Sequence, residues 1–150
     1  RAAKESKITN EELKQLEKKI SKSETKALIV AAGLGSRLKK HTESLPKCML
    51  DFNGKTLLQR QVQAYKDCGI KDITVIRGYK KEKINYKNLS YITNSDYKNN
   101  NILNSIFYAE KVINGNIIIA YSDILFESNV VKRLIEKISL ENDYLKSWLY

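Results

Sequence analysis

A chain of 150 residues, 42% of them hydrophobic, can bury one core, and it holds no run of about 18 apolar residues that would indicate a membrane span. Its two cysteines are too few for a disulfide framework and lack metal-ligand spacing, which favours a reducing, cytoplasmic location. The formal net charge of +10 favours an anionic partner such as a nucleotide, a phosphorylated substrate or a nucleic acid, although scattered surface lysines give the same total.

The first 25 residues are predicted to form a helix and a linker ahead of the domain. Thr9 and Glu12 make a Thr-x-x-Glu capping box, and apolar residues repeat at helical spacing over residues 9–20. The polar stretch that follows is typical of a linker. We therefore divide the chain into an N-terminal segment, residues 1–25, and a domain, residues 26–150.

Strands alternate with helices throughout the domain. Short apolar runs predict strands at residues 27–31, 72–76, 89–93 and 116–121, and helical spacing predicts helices over residues 56–68, 100–112 and 129–140. This alternation indicates an α/β domain with a mainly parallel sheet, in which ligands bind beyond the carboxyl ends of the strands. Because only four strands are evident, we expect the domain to be incomplete at its C-terminus.

The glycine-rich loop after the first strand, AAGLGSR, matches neither of two familiar phosphate-binding patterns. A dinucleotide-binding loop needs a third glycine where this chain has Leu38. A Walker loop ending in the GKT sequence at 54–56 would need a glycine at Met49. We interpret that GKT sequence as a turn that begins a helix.

The same loop still carries the chemistry of phosphate binding. Gly33 and Gly35 allow backbone N–H groups to approach an anion closely. Arg37 has the geometry to hold phosphate oxygens in a bidentate manner, and Lys47 follows the rigid Pro46 as a compact positive charge. The alternative interpretation is a tight turn followed by an exposed basic stretch.

Five other side chains are candidates for chemistry. Cys48 is predicted to be a packed residue because no base lies in a suggestive position, and Cys68 because it falls on the apolar face of a helix. Tyr79 and Tyr97 are either ordinary, partly buried tyrosines or an aromatic wall that suits a trimethylammonium group. Asp123 follows a buried strand and is the strongest functional candidate.

Several blocks of the sequence resemble the motifs of a known family and occur in the same order along the chain. AAGLGSRL, LPKCML with GKTLLQRQ, GIKDITVIRGYKKEKI, NSDYKNNNILNSIF and YSDILF together resemble the sugar-phosphate nucleotidyltransferase superfamily over residues 26–126. Within it, the sequence is most similar to phosphocholine and phosphonate cytidylyltransferases, and especially to the nucleotidyltransferase domain fused to phosphoenolpyruvate mutase. The resemblance implies a Rossmann-like, three-layer fold.

The resemblance also implies a reaction. A phosphonate or phosphate-monoester oxygen attacks the α-phosphorus of CTP, and pyrophosphate leaves with the help of Mg²⁺. It further implies fusion to, or association with, a phosphoenolpyruvate mutase, and an oligomer is compatible with it. Neither a membrane nor a nucleic acid is expected as a partner.

The site residues that follow from the resemblance begin with a nucleotide-binding set: Ala31, Ala32, Gly33, Leu34, Gly35, Ser36, Arg37, Lys47, Asn101 and Ser105. Arg37 would hold the leaving pyrophosphate, Lys47 would neutralise the α-phosphate, and Asp123 would bind Mg²⁺. These three are the implied catalytic residues. Asn101 and Ser105 would lie near the base or the acceptor.

The sequence departs from the family pattern in two places, and three alternative functions stay open. Relatives of the choline type often have Asn-Asn where this chain has Asn101-Ile102, and the family's second metal-binding Asp has no match late in the chain. One alternative is a sugar-1-phosphate nucleotidyltransferase that uses UTP or dTTP. The others are a basic nucleic-acid-binding module and an inactive nucleotide-binding module.

Overall fold

A computed structural model describes residues 25–35, 43–99 and 101–148, together with Thr9 and Glu11. The predicted N-terminal helix and linker therefore lie almost wholly outside the described residues, and the boundary at residue 26 stays a prediction. None of the helices in the described part of the chain combines the length and apolar character of a membrane span.

The described strands are β1 (Lys26–Ala31), β2 (Ile73–Arg77), β3 (Ser90–Thr93) and β4 (Ile117–Tyr121). All pair in parallel, in the order β3-β2-β1-β4, and each lies within one residue of its predicted position. β1 is central and almost fully buried, which explains its unbroken apolar run. The predicted α/β class with a mainly parallel sheet is confirmed.

Helices cover both faces of this sheet and complete the predicted three layers. They are α1 (Leu57–Asp67), α2 (Ile102–Phe107) and α3 (Ser128–Trp148). Alternate residues of β1 point to opposite faces, as in any strand. Ile29 belongs to the core that contains residues of α1 and α3, whereas Leu28 belongs to the core on the α2 side.

Two helices differ from their predicted lengths. The helix expected over residues 100–112 is only the short α2, followed by a separate 3₁₀ turn at Glu110–Val112. The amide of Ala109 donates to the carbonyl of Ile106, three residues back, so the helix tightens and ends there. In contrast, α3 continues beyond the predicted residue 140, since no glycine or proline follows to stop it.

The turn interpretation of the GKT sequence is confirmed. Asn53 and Gly54 adopt left-handed backbone conformations, with φ of 57° and 80°. Thr56 then caps α1: its side chain accepts from the Gln59 amide, and the Gln59 side chain accepts from the Thr56 amide. Gly69, with φ of 80°, ends this helix as predicted.

Candidate nucleotide-binding site

A cavity of about 430 Å³ opens beyond the carboxyl ends of β1 and β4. The strands β1, β2 and β3 succeed one another in one direction, and β4 returns to the other side of β1. A crevice forms where the strand order reverses in this way, and it is the usual ligand site of such sheets. The residues that line it are Val30, Ala31, Ala32, Gly33, Gly35, Lys47, Tyr97, Asn101, Ile102, Ser105, Tyr121, Ser122 and Asp123.

This cavity gathers most of the predicted site residues, from four separate parts of the sequence: Ala31, Ala32, Gly33, Gly35, Lys47, Asn101, Ser105 and Asp123. Leu34 is exposed and is not one of the lining residues. Ser36 and Arg37 lie outside the described residues. The individual roles of all these residues stay predictions.

The loop after β1 presents open backbone to the cavity. Gly35 has a φ of 63°, a conformation that side chains rarely adopt, so glycine is required there for the turn itself. Gly33 is different, because a Cβ built on it would meet no atom within 4 Å. Gly33 is one of the residues that line the cavity, and the space that a side chain would take is open.

Gly78, just after β2, supports this loop by close packing. A Cβ on Gly78 would lie 2.9 Å from the carbonyl oxygen of Ala32 and 2.7 Å from the Cβ of Tyr97. The next residue, Tyr79, donates its amide to the same Ala32 carbonyl at 3.3 Å. Gly78 and Tyr79 therefore fix the end of β1, and Gly78 packs against Tyr97, which forms one wall of the cavity.

That wall is the ring of Tyr97. Tyr79 meets it edge-on, with ring centroids 6.2 Å apart and an interplanar angle of 60°. Only Tyr97 of the two lines the cavity. Tyr79 instead directs its hydroxyl to the carbonyl of Glu43, at 3.3 Å, so it supports the wall from behind.

Lys47 is positioned by its two neighbours. Pro46 and Cys48 are both buried, on either side of a partly exposed Lys47, at the start of a short 3₁₀ turn at Lys47–Met49. Burial raises the pKa of the Cys48 thiol to about 12, so it stays neutral and unreactive. The prediction that Cys48 is a packed residue is confirmed, and its packing holds Lys47 at the cavity.

Two predicted catalytic residues meet directly. Lys47 Nζ lies 2.7 Å from Asp123 Oδ2, although the residues are 76 positions apart in sequence. Their side chains are 32% and 39% exposed. An ion pair this exposed stabilises a fold by only about 0–1 kcal/mol. A ligand can therefore replace it at little cost.

The start of the short helix α2 brings polar groups to the cavity. Asn101 caps it by accepting from the Asn104 amide at 3.0 Å. The buried Ser105 donates its hydroxyl to the carbonyl of Asn101 and accepts from the side-chain amide of Asn94, at 2.9 Å. Asn94 is fully buried and was not predicted, although it directly follows β3 and so has the same strand-end position as the other polar residues of the site.

Some residues that line the cavity were also not predicted. Tyr121 and Ser122 belong to the YSD sequence, in which only the aspartate was singled out. Ile102 lines the cavity beside Asn101, so an aliphatic side chain lies at the site. The strand-end position was the available signal for Tyr121 and Ser122.

The potential metal ligands at the cavity suit Mg²⁺ that is bound together with a nucleotide. Within the described residues, no cluster of three or more His, Cys, Asp or Glu side chains is arranged to hold a metal ion. Mg²⁺, however, is commonly held through one or two carboxylates together with water and substrate phosphates. Asp123 supplies one hard carboxylate at the cavity, so it suits a metal that arrives with a nucleotide.

Comparison with known proteins agrees with this geometry. The sequence profile of the MobA-like NTP transferase domain matches residues 27–145. The chain is 33% identical to a CTP:phosphoglutamine cytidylyltransferase of Campylobacter jejuni over 81% of its length and 53% of the relative's. It is 35% identical to a choline-phosphate cytidylyltransferase of Streptococcus pneumoniae over 69% of its length and 47% of the relative's.

A solved structure gives the same result. The CTP:phosphocholine cytidylyltransferase of Streptococcus pneumoniae superposes with a TM-score of 0.65 and 31% sequence identity. The match covers 71% of this chain and 50% of that structure. The chain thus spans about half the length of the relatives it matches.

Proposed function

Since the chain belongs to the MobA-like NTP transferase domain family, we propose that the protein containing it transfers CMP from CTP to a phosphate-bearing acceptor. The acceptor is a phosphonate or a phosphate monoester such as phosphocholine. Two similar proteins are named for cytidylyl transfer to phosphoglutamine and to choline phosphate, which supports CTP as the donor. The proposal concerns the whole protein, because this chain spans about half of those relatives.

The observation that carries the proposal is the meeting of Lys47 and Asp123 at the cavity. One supplies a compact cation and the other a hard anionic ligand, 2.7 Å apart, beside the open backbone of Gly33. Nucleotidyl transfer needs positioning and charge neutralisation more than covalent help from the protein. The cavity offers both in one place.

The proposed reaction is a single displacement at phosphorus. An acceptor phosphate oxygen forms a bond to the α-phosphorus of CTP, and the bond from that phosphorus to the bridging oxygen breaks. Pyrophosphate leaves with the electron pair. The acceptor oxygen is already deprotonated, so no side chain is needed as a base. Lys47 leaves Asp123 and stabilises the charge that develops on the α-phosphate.

Asp123 is the residue that would hold Mg²⁺, and Mg²⁺ dependence is part of this proposal. When bound, the metal would supply charge neutralisation at the phosphate oxygens. The backbone of Ala31, Ala32 and Gly33 would face the base and ribose, and Asn101 and Ser105 the base or the acceptor. Leu34, Gly35 and Ser36 would offer amides to the triphosphate, and Arg37 would hold the pyrophosphate.

The biological setting is likewise a proposal. The resemblance to domains fused to phosphoenolpyruvate mutase favours phosphonate biosynthesis, with phosphocholine conjugates as the alternative setting. A cytoplasmic location is supported by the two free cysteines, of which Cys48 is buried. Acceptor preference distinguishes the settings: 2-aminoethylphosphonate should outperform phosphocholine in the first and not in the second.

A panel assay tests the proposed function. The full-length protein is incubated with Mg²⁺, one nucleoside triphosphate and one acceptor, and pyrophosphate release is measured. We expect release with CTP and a phosphonate or phosphocholine. Release with UTP or dTTP and glucose 1-phosphate would instead identify a sugar-nucleotide enzyme. Binding of CTP without turnover would identify an inactive module, and salt-dependent oligonucleotide binding unaffected by CTP would identify a nucleic-acid-binding one.

A further inference from the structure

A polar side chain lies within the apolar face of α1. Gln61 is fully buried, and its neighbours on that face, Leu58, Val62 and Tyr65, belong to the core between the helices and the sheet. A buried amide is costly unless it forms hydrogen bonds. The partners of Gln61 therefore indicate what the amide does.

Both partners belong to the segment that carries Asp123. Gln61 Nε2 donates to the carbonyl of Tyr121 at 2.8 Å and to the carbonyl of Ile124 at 2.6 Å. Because both acceptors are carbonyl oxygens, only the nitrogen end of the amide can face them. The two bonds enclose Ser122 and Asp123 from either side.

The same turn is also tied to the central strand. The amide of Ser122 donates to the carbonyl of Val30, at 3.0 Å, which extends the pairing of β1 and β4 by one residue. Three hydrogen bonds thus hold the backbone around Asp123 against α1 and β1. The Asp123 side chain itself is 39% exposed, and its ion-pair partner, Lys47, is also partly exposed. The backbone is therefore what determines where its carboxylate lies.

The geometry points to Gln61 as a positioning residue that fixes the turn of Asp123 and, through it, the affinity of the site for a divalent cation. This inference rests on the proposed function, because it takes Asp123 as the metal ligand. Gln61 lies beneath the turn and touches neither substrate nor metal. A group that orients a metal ligand typically changes metal affinity by about 10–100-fold when it is replaced.

The opposite end of the amide supports this view. In the described part of the chain, no donor reaches Gln61 Oε1, although the atom is buried. The amide thus leaves its own oxygen unsatisfied while its nitrogen satisfies two carbonyls of one turn. That arrangement favours a role in holding the turn over a role in filling the core.

The test replaces Gln61 with Met, which keeps the length of the side chain and removes both donors. A second variant, Gln61→Leu, removes the donors with a shorter apolar side chain. Gln63→Met is the matched control, since Gln63 lies on the same helix, is exposed and donates to Asp67 instead. Circular dichroism of the full-length proteins checks that each variant is folded.

Binding of Mn²⁺, followed by electron paramagnetic resonance with a non-hydrolysable CTP analogue present, is the first readout. We expect a 10–100-fold weaker Mn²⁺ affinity in both Gln61 variants, unchanged metal-free binding of the analogue, and wild-type behaviour in Gln63→Met. Mn²⁺ affinity within twofold of wild type in a folded Gln61 variant would overturn the proposal. So would unfolding of both variants, because Gln61 would then be a structural residue.

Hydrogen exchange at the amides of residues 122–125 separates this inference from the proposed function. Exchange there should be faster in Gln61→Met than in Gln63→Met, whether or not the protein binds CTP. If the wild type binds neither CTP nor Mn²⁺ while exchange accelerates, the proposed function fails and the positioning of the turn stands. Unchanged exchange at these amides would contradict the positioning role itself.

Discussion

Gly33 and Gly35 are both glycines of one loop, but they are needed for different reasons. Gly35 has a positive φ, so a side chain there would strain the backbone by about 1–2 kcal/mol. Gly33 lines the cavity and has open space where a side chain would stand, so the fold itself does not require a glycine there. Substitution at the two positions tests whether Gly35 is needed for folding and whether Gly33 is, as we propose, needed for binding.

The variant Gly33→Ala should fold normally and bind CTP at least 10-fold more weakly. The added methyl group meets no protein atom within 4 Å, but it occupies the space that a nucleotide needs to approach the backbone. Calorimetric titration of CTP measures the affinity, and urea unfolding measures the stability. Gly35→Ala is the comparison and should lose stability. Unchanged CTP affinity in Gly33→Ala would contradict a backbone contact at this residue.

At the scale of elements, the start of α1 shows how a sequence motif can be misleading. Gly54-Lys55-Thr56 has the end of a Walker loop, yet in the structure the glycine forms a turn and Thr56 forms a capping box with Gln59. The Thr56 hydroxyl also lies 2.8 Å from the hydroxyl of Tyr86. The motif is explained by helix capping without a phosphate.

The variant Thr56→Ala should lower the free energy of unfolding by about 1 kcal/mol, the usual contribution of such a cap. It should leave CTP binding unchanged, because Thr56 does not line the cavity. Urea unfolding gives the first quantity and calorimetry the second. A large loss of CTP affinity with little loss of stability would mean that the GKT sequence binds phosphate after all.

The elements that the sequence predicted well have strong local signals. The β1 run is apolar because the strand is buried on both faces, and α1 has a cap at one end and Gly69 at the other. The helix over 100–112 was predicted too long, because its apolar spacing does not show the 3₁₀ bond at Ala109, and two of its apolar positions, Ile102 and Phe107, are exposed in the structure. Apolar periodicity indicates a helical face, but by itself it does not show whether the helix is continuous.

At the scale of the whole molecule, the site depends on topology. The loop after β1 and the end of β4 were predicted to lie at one edge because parallel strands end together, and this is confirmed. The ion pair of Lys47 and Asp123 was not predicted, although both residues were, since their contact depends on how residues 46–50 fold over the edge of the sheet. Gln61 was missed because a single polar residue on an apolar helix face has no local signature.

Global stability should fall at alkaline pH. Burial raises the pKa of Cys48 from 9.0 to about 12 and that of Tyr65 from 10.0 to about 12. Above pH 9 the unfolded chain therefore loses protons that the folded protein keeps, which favours unfolding. The stabilisation is complete below pH 9 and is lost as the pH rises towards about 12.

Urea unfolding between pH 8 and 11 measures this loss, at about 1.4 kcal/mol per pH unit for each proton. In the variant Cys48→Ala, the free energy of unfolding should fall less steeply with pH above pH 9, by the contribution of one proton. This holds whatever the effect of the substitution on stability at pH 8. An unchanged slope in that variant would show that the Cys48 thiol ionises in the folded protein as readily as in the unfolded chain.

The central claim is that Lys47 serves nucleotidyl transfer at the cavity it shares with Asp123. The most direct test is the rate of pyrophosphate release from CTP and acceptor by the full-length Lys47→Met variant. Lys71→Met is the control, because Lys71 is exposed at the amino-terminal edge of the sheet, opposite the cavity. We predict a fall in kcat of about 10²–10³-fold for Lys47→Met, with a wild-type melting temperature, and no change for Lys71→Met. A Lys47→Met rate within twofold of wild type would contradict the account.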